Sequence, residues 1–295
     1  MKKTEIKRIN TDRDYFLEAI EFTRRSTGFL PALIEKDYMC TLVLSHFYSV
    51  AGCPLIFKGG TALNKVHLGF YRLSEDLDFS ISVPVKSTRS QRSKTMTPIK
   101  HLFLKLPKAL PELEISGELT GRNDSLQYIG ELRYPSVLTE QSGAIQVEIG
   151  LREPNLLPTK TLSAKTLLID PLSREPAFPG VQVTAFSIKE AYAEKLRAAL
   201  SRREPAIRDY FDIFHAVKNS LINLGDPEVL RLTQEKLSVP GNHPIGLTAE
   251  RIAALKEQLE AELRPVLQKK ALDDFRFDEA IRSLEAFQGA ISRIS

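Results

Sequence analysis

The chain has 295 residues, enough for one large domain or two moderate ones, and its 42% hydrophobic content is that of an ordinary globular protein. Lysine plus arginine (41) exceed aspartate plus glutamate (37), a mildly basic balance that permits an anionic partner without requiring one. Cys40 and Cys53 are too few for a disulfide framework, the five histidines lack metal-ligand spacing, and the charged opening Met1–Arg8 leads into no apolar run of signal or membrane-span length; a cytoplasmic protein without zinc and without a membrane anchor is expected.

In chain order, Thr11 or Asp12 caps a first helix whose apolar positions Tyr15, Phe16, Ala19 and Ile20 fall at helical spacing and which stops at Gly28. Pro31 opens a second helix that ends before Gly52. Leu55-Ile56-Phe57 reads as a short buried strand, followed by a glycine turn and a helix over Thr61–Tyr71. From Val83 to Leu110 the chain carries Lys86, Arg89, Arg92, Lys94, Lys100, Lys105 and Lys108 and no acid; a loop followed by a helix over Ile99–Leu110 is predicted. Strands are expected near Leu113–Leu119, Leu126–Tyr134 and Ala144–Leu151, with weaker candidates at Leu167–Ile169 and Val181–Val183. Beyond Ser187 the pattern is helical: Ser187–Arg203, Ile207–Asn219, Pro227–Leu237, Thr248–Gln268 and Asp278–Arg293. A mixed α/β lobe over 1–186 followed by a helical lobe over 187–295 is the resulting organisation.

The chemistry is concentrated between Lys58 and Phe79. In a strand, side chains alternate between faces, so Leu77, Phe79, Ile81 and Val83 turn to a core while Asp76 and Asp78 share the other face, roughly 6 to 7 Å apart. Two adjacent carboxylates suit Mg²⁺, which is commonly held by one or two carboxylates plus substrate phosphates; an acidic strand edge kept for solubility is the plainer alternative. Gly59 and Gly60 lie between a strand and a helix, where missing Cβ atoms let backbone approach a phosphate, and Thr61 adds a hydroxyl. The spacing is neither that of Walker A nor that of the Rossmann fingerprint. Glu148, on the polar face of a neighbouring strand, is the natural third carboxylate and equally well a surface glutamate. By spacing alone, Arg208 and Asp212 form a plain i,i+4 pair, with Asp209 on the same helix face, and Lys195 reads as a solvated lysine.

Together these segments resemble the nucleotidyltransferase AbiEii/AbiGii toxin family, the toxin half of abortive-infection and toxin-antitoxin systems, to which the MenT toxins also belong. The resemblance rests on Ile34-Glu35-Lys36-Asp37-Tyr38, on Phe57 to Lys65, on Arg72-Leu73-Ser74-Glu75-Asp76-Leu77-Asp78, on Glu190 to Lys195, and on Arg208-Asp209-Tyr210-Phe211-Asp212. It implies an α+β fold with a DNA polymerase β-like core and mixed sheet, closed by an all-helical C-terminal lobe. It implies catalytic roles for Asp76, Asp78, Lys195 and Asp209, metal binding by Asp76, Asp78 and, less directly, Glu148, and nucleotide binding by Lys58, Gly59, Gly60, Thr61, Lys65, Arg72, Ser74 and Asp212. It further implies Mg²⁺ or Mn²⁺, an NTP substrate, an RNA acceptor such as the tRNA 3′ end, and a cognate antitoxin encoded nearby. The basic stretch from Lys86 to Lys108 suits such an acceptor and suits a solvated loop as well. A toxin that binds NTP and sequesters its target, or one that modifies a protein hydroxyl, is the alternative.

Overall fold

A computed structural model of the chain describes residues 8–294, so the charged run before Arg8 and the final Ser295 lie outside the described residues. The chain divides into two compact units, one comprising residues up to Pro154 together with Thr159–Ala185, the other Asn155–Pro158 together with Phe186 onward.

In the first unit, α1 (Arg13–Thr27) starts where the Asp12 carboxylate accepts from the Tyr15 amide and ends at Gly28, whose φ of 77° takes the left-handed position that closes helices. α2 (Pro31–Phe47) has proline in its first turn and is buried round most of its circumference, a central helix rather than a surface one. β1 (Ile56–Lys58) runs directly into α3 (Gly59–Ala62), which continues as a wider π-type turn, Leu63–Leu68, before Gly69 releases the chain. The helix therefore begins at the first glycine and stops at Leu68, short of the expected Tyr71.

β2 (Leu77–Ser80) is followed by α4 (Arg89–Leu104) and α5 (Leu106–Ala109), then by β3 (Glu114–Arg122), β4 (Gln127–Pro135), β5 (Ser142–Gly150), β6 (Lys160–Ala164) and β7 (Val181–Ala185). The basic stretch is thus mostly helix, beginning at Arg89 rather than at the predicted Ile99. Its start is set by a capping box: the Thr88 hydroxyl accepts from the Gln91 amide and the Gln91 side chain accepts from the Thr88 amide. Arg92, far from being solvated, is buried and donates to the Asp124 carbonyl. Leu167–Ile169 forms only an isolated bridge at Ile169, and β6, not foreseen, takes the sheet edge beside β7.

Among the described residues the strands form one seven-stranded mixed sheet in the order β3-β4-β5-β2-β1-β7-β6. Its core face is legible in the register. Leu77 lies beside Val147, Val147 opposite Gly130, and a Cβ on Gly130 would stand 2.9 Å from the Phe103 ring of α4, so α4 covers this face. Lys100 of α4 sits 5.0 Å over the Tyr128 ring on the same side. The alternation is clean: Tyr128, Leu132, Tyr134, Ile145, Val147 and Ile149 are buried, while Gln146 is exposed and Glu131 and Glu148 are half-buried. The face that carries Asp78 and Glu148 is the other one.

The second unit is helical: α6 (Ile188–Ser201), α7 (Ile207–Lys218), α8 (Pro227–Ser238), α9 (Ala249–Gln258), α10 (Lys269–Asp274) and α11 (Phe277–Ile294). Ser187 and Asp226 cap α6 and α8. After α9 the helix widens into a π-type turn at Leu259–Leu263 and then tightens into a short 3-10 turn at Arg264–Val266, which contains Pro265, so the single helix expected over Thr248–Gln268 is three pieces. Asn155–Pro158 joins this unit because the buried Glu190 carboxylate accepts from the Leu156 and Leu157 amides, each at 2.9 Å. The α+β class with a mixed sheet and a helical C-terminal region is what the chain adopts.

Candidate functional site

The diglycine turn and β2 meet at very close range. Gly59 has φ 75°, and a Cβ there would lie 2.8 Å from Asp78 Cβ and 2.9 Å from its Cγ, with Oδ2 nearer still. Both the left-handed backbone and the neighbour demand glycine. At Gly60 a Cβ would stand 2.9 Å from Ser74 Oγ and closer again to Arg72 Nη2. The absent side chains are therefore what allow Asp78, Arg72 and Ser74 to crowd the turn. Thr61 is tied to the same segment, its hydroxyl donating to the Asp76 carbonyl at 2.5 Å.

Strand register extends this group sideways. Lys58 of β1 pairs with Asp78 of β2, and Asp78 with Glu148 of β5. In-register partners share a face, so a lysine and two carboxylates form a row with neighbours about 5 Å apart. All three are half-buried. Arg72 is almost wholly buried, and its Nη1 donates to the Leu73 carbonyl at 2.8 Å. Asp76 precedes β2 rather than lying in it.

Asp78 and Glu148 supply hard oxygen donors on adjacent strands beside a glycine turn, a donor set that fits Mg²⁺ or Mn²⁺. Among the described residues no three His, Cys, Asp or Glu side chains converge as a preformed cage, so Asp76, Asp78 and Glu148 are not assembled into one. Mg²⁺ ordinarily dispenses with such a cage, taking one or two carboxylates and completing its shell with phosphate oxygens and water.

Lys65 does not join the row. Its ammonium is fully buried, 2.7 Å from Asp37 Oδ1, and donates to Thr41 Oγ1 at 2.7 Å and to the Asp37 carbonyl at 3.0 Å. The lysine expected to contact the triphosphate is held here in an ion pair with Asp37. One turn beyond Gly60, Asn64 is 2% exposed, and neither its amide nitrogen nor its oxygen has a hydrogen-bond partner among the described residues. An orphaned carboxamide beside the glycine turn is a feature that position in the sequence did not single out.

In the helical unit, Lys195 of α6 lies 2.6 Å from Asp209 Oδ1 and 2.8 Å from Asp212 Oδ2 of α7. Their side chains are 11%, 9% and 0% exposed, so Lys195 is not the solvated lysine that its spacing suggested. Asp209 and Asp212, three residues apart, present both carboxylates on one helix face. Asp209 Oδ2 has no hydrogen-bond partner among the described residues, with Arg202 Nη1 at 3.7 Å.

Acidic strand positions beside a strand–diglycine–helix turn offer the carboxylates and backbone amides that divalent cations and phosphates use. The model of the AbiEii nucleotidyl transferase toxin family, of Type IV toxin–antitoxin systems, matches residues 43–292, and the chain belongs to that family. Two crystal structures from Helicobacter pylori, one of a candidate nucleotidyltransferase and one of JHP933, are similar to 85% of this chain at 16% identity and a TM-score of 0.48, covering 92% and 89% of their own chains. No curated protein matches.

Proposed function

We propose that this toxin transfers a nucleotide from an NTP to an RNA acceptor, the tRNA 3′ end in its most specific form, and so blocks translation. The observation that carries the reading is the apposition of Gly59 to Asp78, a strand–diglycine–helix turn directly against a carboxylate. Asp78 and Glu148, with Asp76, would hold Mg²⁺ or Mn²⁺, which when bound neutralises phosphate charge and lowers the pKa of an attacking hydroxyl. Gly59, Gly60 and Thr61 would form the triphosphate-binding turn, with Asp78, Arg72 and Ser74 packed directly against it and Lys58 adding positive charge from β1. Lys195, Asp209 and Asp212 are the second group required for turnover, with the lysine held in one geometry by both carboxylates.

The acceptor reading draws on α4, where Arg89, Lys94 and Lys105 are exposed. Phosphate contacts by such side chains supply most nucleic-acid affinity. Because α4 covers the sheet face opposite Asp78, an acceptor touching both must be larger than a mononucleotide. An antitoxin partner follows from the family.

The test is incubation with each labelled NTP, Mg²⁺ and total RNA, followed by sequencing of RNA 3′ ends. Added nucleotides on tRNA 3′ ends are the expected result. Labelled protein with unlabelled RNA would move the acceptor to a protein hydroxyl, and NTP binding without incorporation would leave a sequestering toxin.

A further inference from the structure

The family match begins at residue 43, so Glu35-Lys36-Asp37 on α2 lies ahead of it, and the proposed reaction gives these side chains no role. Consecutive helical residues point about 100° apart, and α2 is buried on most sides, so each of the three charges must find a partner in a different neighbour. Glu35 accepts from Ser136 Oγ and from the Val137 amide, both at 2.7 Å, just past the end of β4 where the chain turns toward β5. Lys36 Nζ reaches Glu75 Oε2 at 3.3 Å, the residue immediately before Asp76. Asp37 pairs with Lys65 at 2.7 Å through Oδ1, while its Oδ2 accepts from the Leu167 amide at 2.8 Å and from Thr166 Oγ1 at 3.1 Å. Lys65 in turn belongs to the turn that continues α3, directly after the two glycines, and also donates to the Lys165 carbonyl at 3.3 Å. This buried ion pair and its hydrogen bonds join α2 to the turn after α3 and to the segment Lys165–Leu167.

We propose that Glu35, Lys36 and Asp37 are positioning residues for nucleotidyl transfer. Within one turn of α2 they tie down the loop between β4 and β5, the approach to Asp76 and, through Lys65, the turn that follows the diglycine. They act through other residues and not on the substrate, holding Asp78, Glu148 and Gly59 in the one geometry in which a triphosphate is gripped and turned over. The inference rests on the reading of this site as the NTP site.

Two variants of the full chain test it. Asp37→Asn/Lys65→Met removes both charges of the buried pair together, so that neither is left stranded. Lys36→Met removes a partly exposed partner and leaves the core intact. Amide hydrogen exchange and NTP incorporation into RNA are read in parallel with thermal unfolding. In the double variant, exchange over Gly59–Leu68 is expected to speed about tenfold while β4 and β5 stay protected, and kcat to fall about 10- to 100-fold, well beyond any change in KM for NTP. Lys36→Met is expected to show the same split more weakly, with faster exchange at Glu75–Leu77. A double variant with parental exchange and parental kcat overturns the proposal. If that variant does not fold, parental exchange and kcat in Lys36→Met overturn it instead. Should the parent itself transfer no nucleotide, the function reading fails while the exchange pattern still decides the positioning role.

Discussion

Gly59→Ala is the substitution whose consequences the geometry specifies most fully. A φ of 75° forces alanine into the left-handed region, which costs about 1–2 kcal/mol for a residue with a Cβ. The new methyl would also stand 2.8 Å from Asp78 Cβ, about 1 Å inside an ordinary carbon–carbon contact. Because that atom is fixed to the strand, no rotamer change relieves the overlap, and β2 must give way at an overpacking cost of about 1–3 kcal/mol. The sum, about 2–5 kcal/mol, should lower the thermal midpoint of this unit by roughly 4–20 °C at about 2–4 °C per kcal/mol. A displacement of about 1 Å at Asp78 should also lower the rate of NTP incorporation about 10²-fold. In an Asp78→Gly background the overlap disappears, so Gly59→Ala should there cost only the backbone contribution of about 1–2 kcal/mol. Thermal unfolding and single-turnover incorporation measure both. A Gly59→Ala protein with parental midpoint and rate would refute the reasoning, as would an equal cost in both backgrounds.

Gly60→Ala should behave differently, since its backbone is ordinary and alanine is the better helix former by about 1 kcal/mol; the fold should hold while crowding of Arg72 weakens NTP affinity by calorimetry, and unchanged affinity would deny Arg72 its place. Lys195→Met removes the nearest cation from the buried Asp209 and Asp212 carboxylates and should cost about 3–5 kcal/mol, most of it recovered when both aspartates are also changed to asparagine; thermal unfolding decides. Burial holds the His215 imidazole below its ordinary 6.5, against an opposing pull from Asp212. A depressed histidine pKa means stability that is present above 6.5 and lost as pH falls through the folded value, so the parent's midpoint should drop relative to His215→Gln on acidification and match its trend above pH 6.5.

The parts of the site that follow local rules were legible in the sequence. Two glycines between a strand and a helix, and period-two alternation through Leu77 and Phe79, placed Gly59 and Asp78 without knowledge of the fold, and the alternation of Ile145, Val147 and Ile149 placed Glu148 on the polar face. What escaped were features fixed by distant partners. Lys65 looks like any lysine until Asp37, 28 residues away, is brought against it, and Lys195 needs α7 folded beside α6 before its two carboxylates appear. Thr88-x-x-Gln91 was a readable start signal for α4, but the density of charge and of Ser and Thr around it argued for a loop. β6 carries largely exposed or half-exposed residues and, among the described residues, pairs with β7 alone, which leaves an edge strand with little alternation to detect.

If Asp78 and Glu148 act with the diglycine turn as one metal-assisted nucleotide site, nucleotide affinity must depend on both carboxylates and on the ion. Titration calorimetry of NTP, with and without Mg²⁺, into the parent, Asp78→Asn and Glu148→Gln measures this directly. The parent should bind NTP in a Mg²⁺-dependent manner, and each folded variant should lose that dependence. Mg²⁺-dependent binding of parental strength in Asp78→Asn would contradict the central claim.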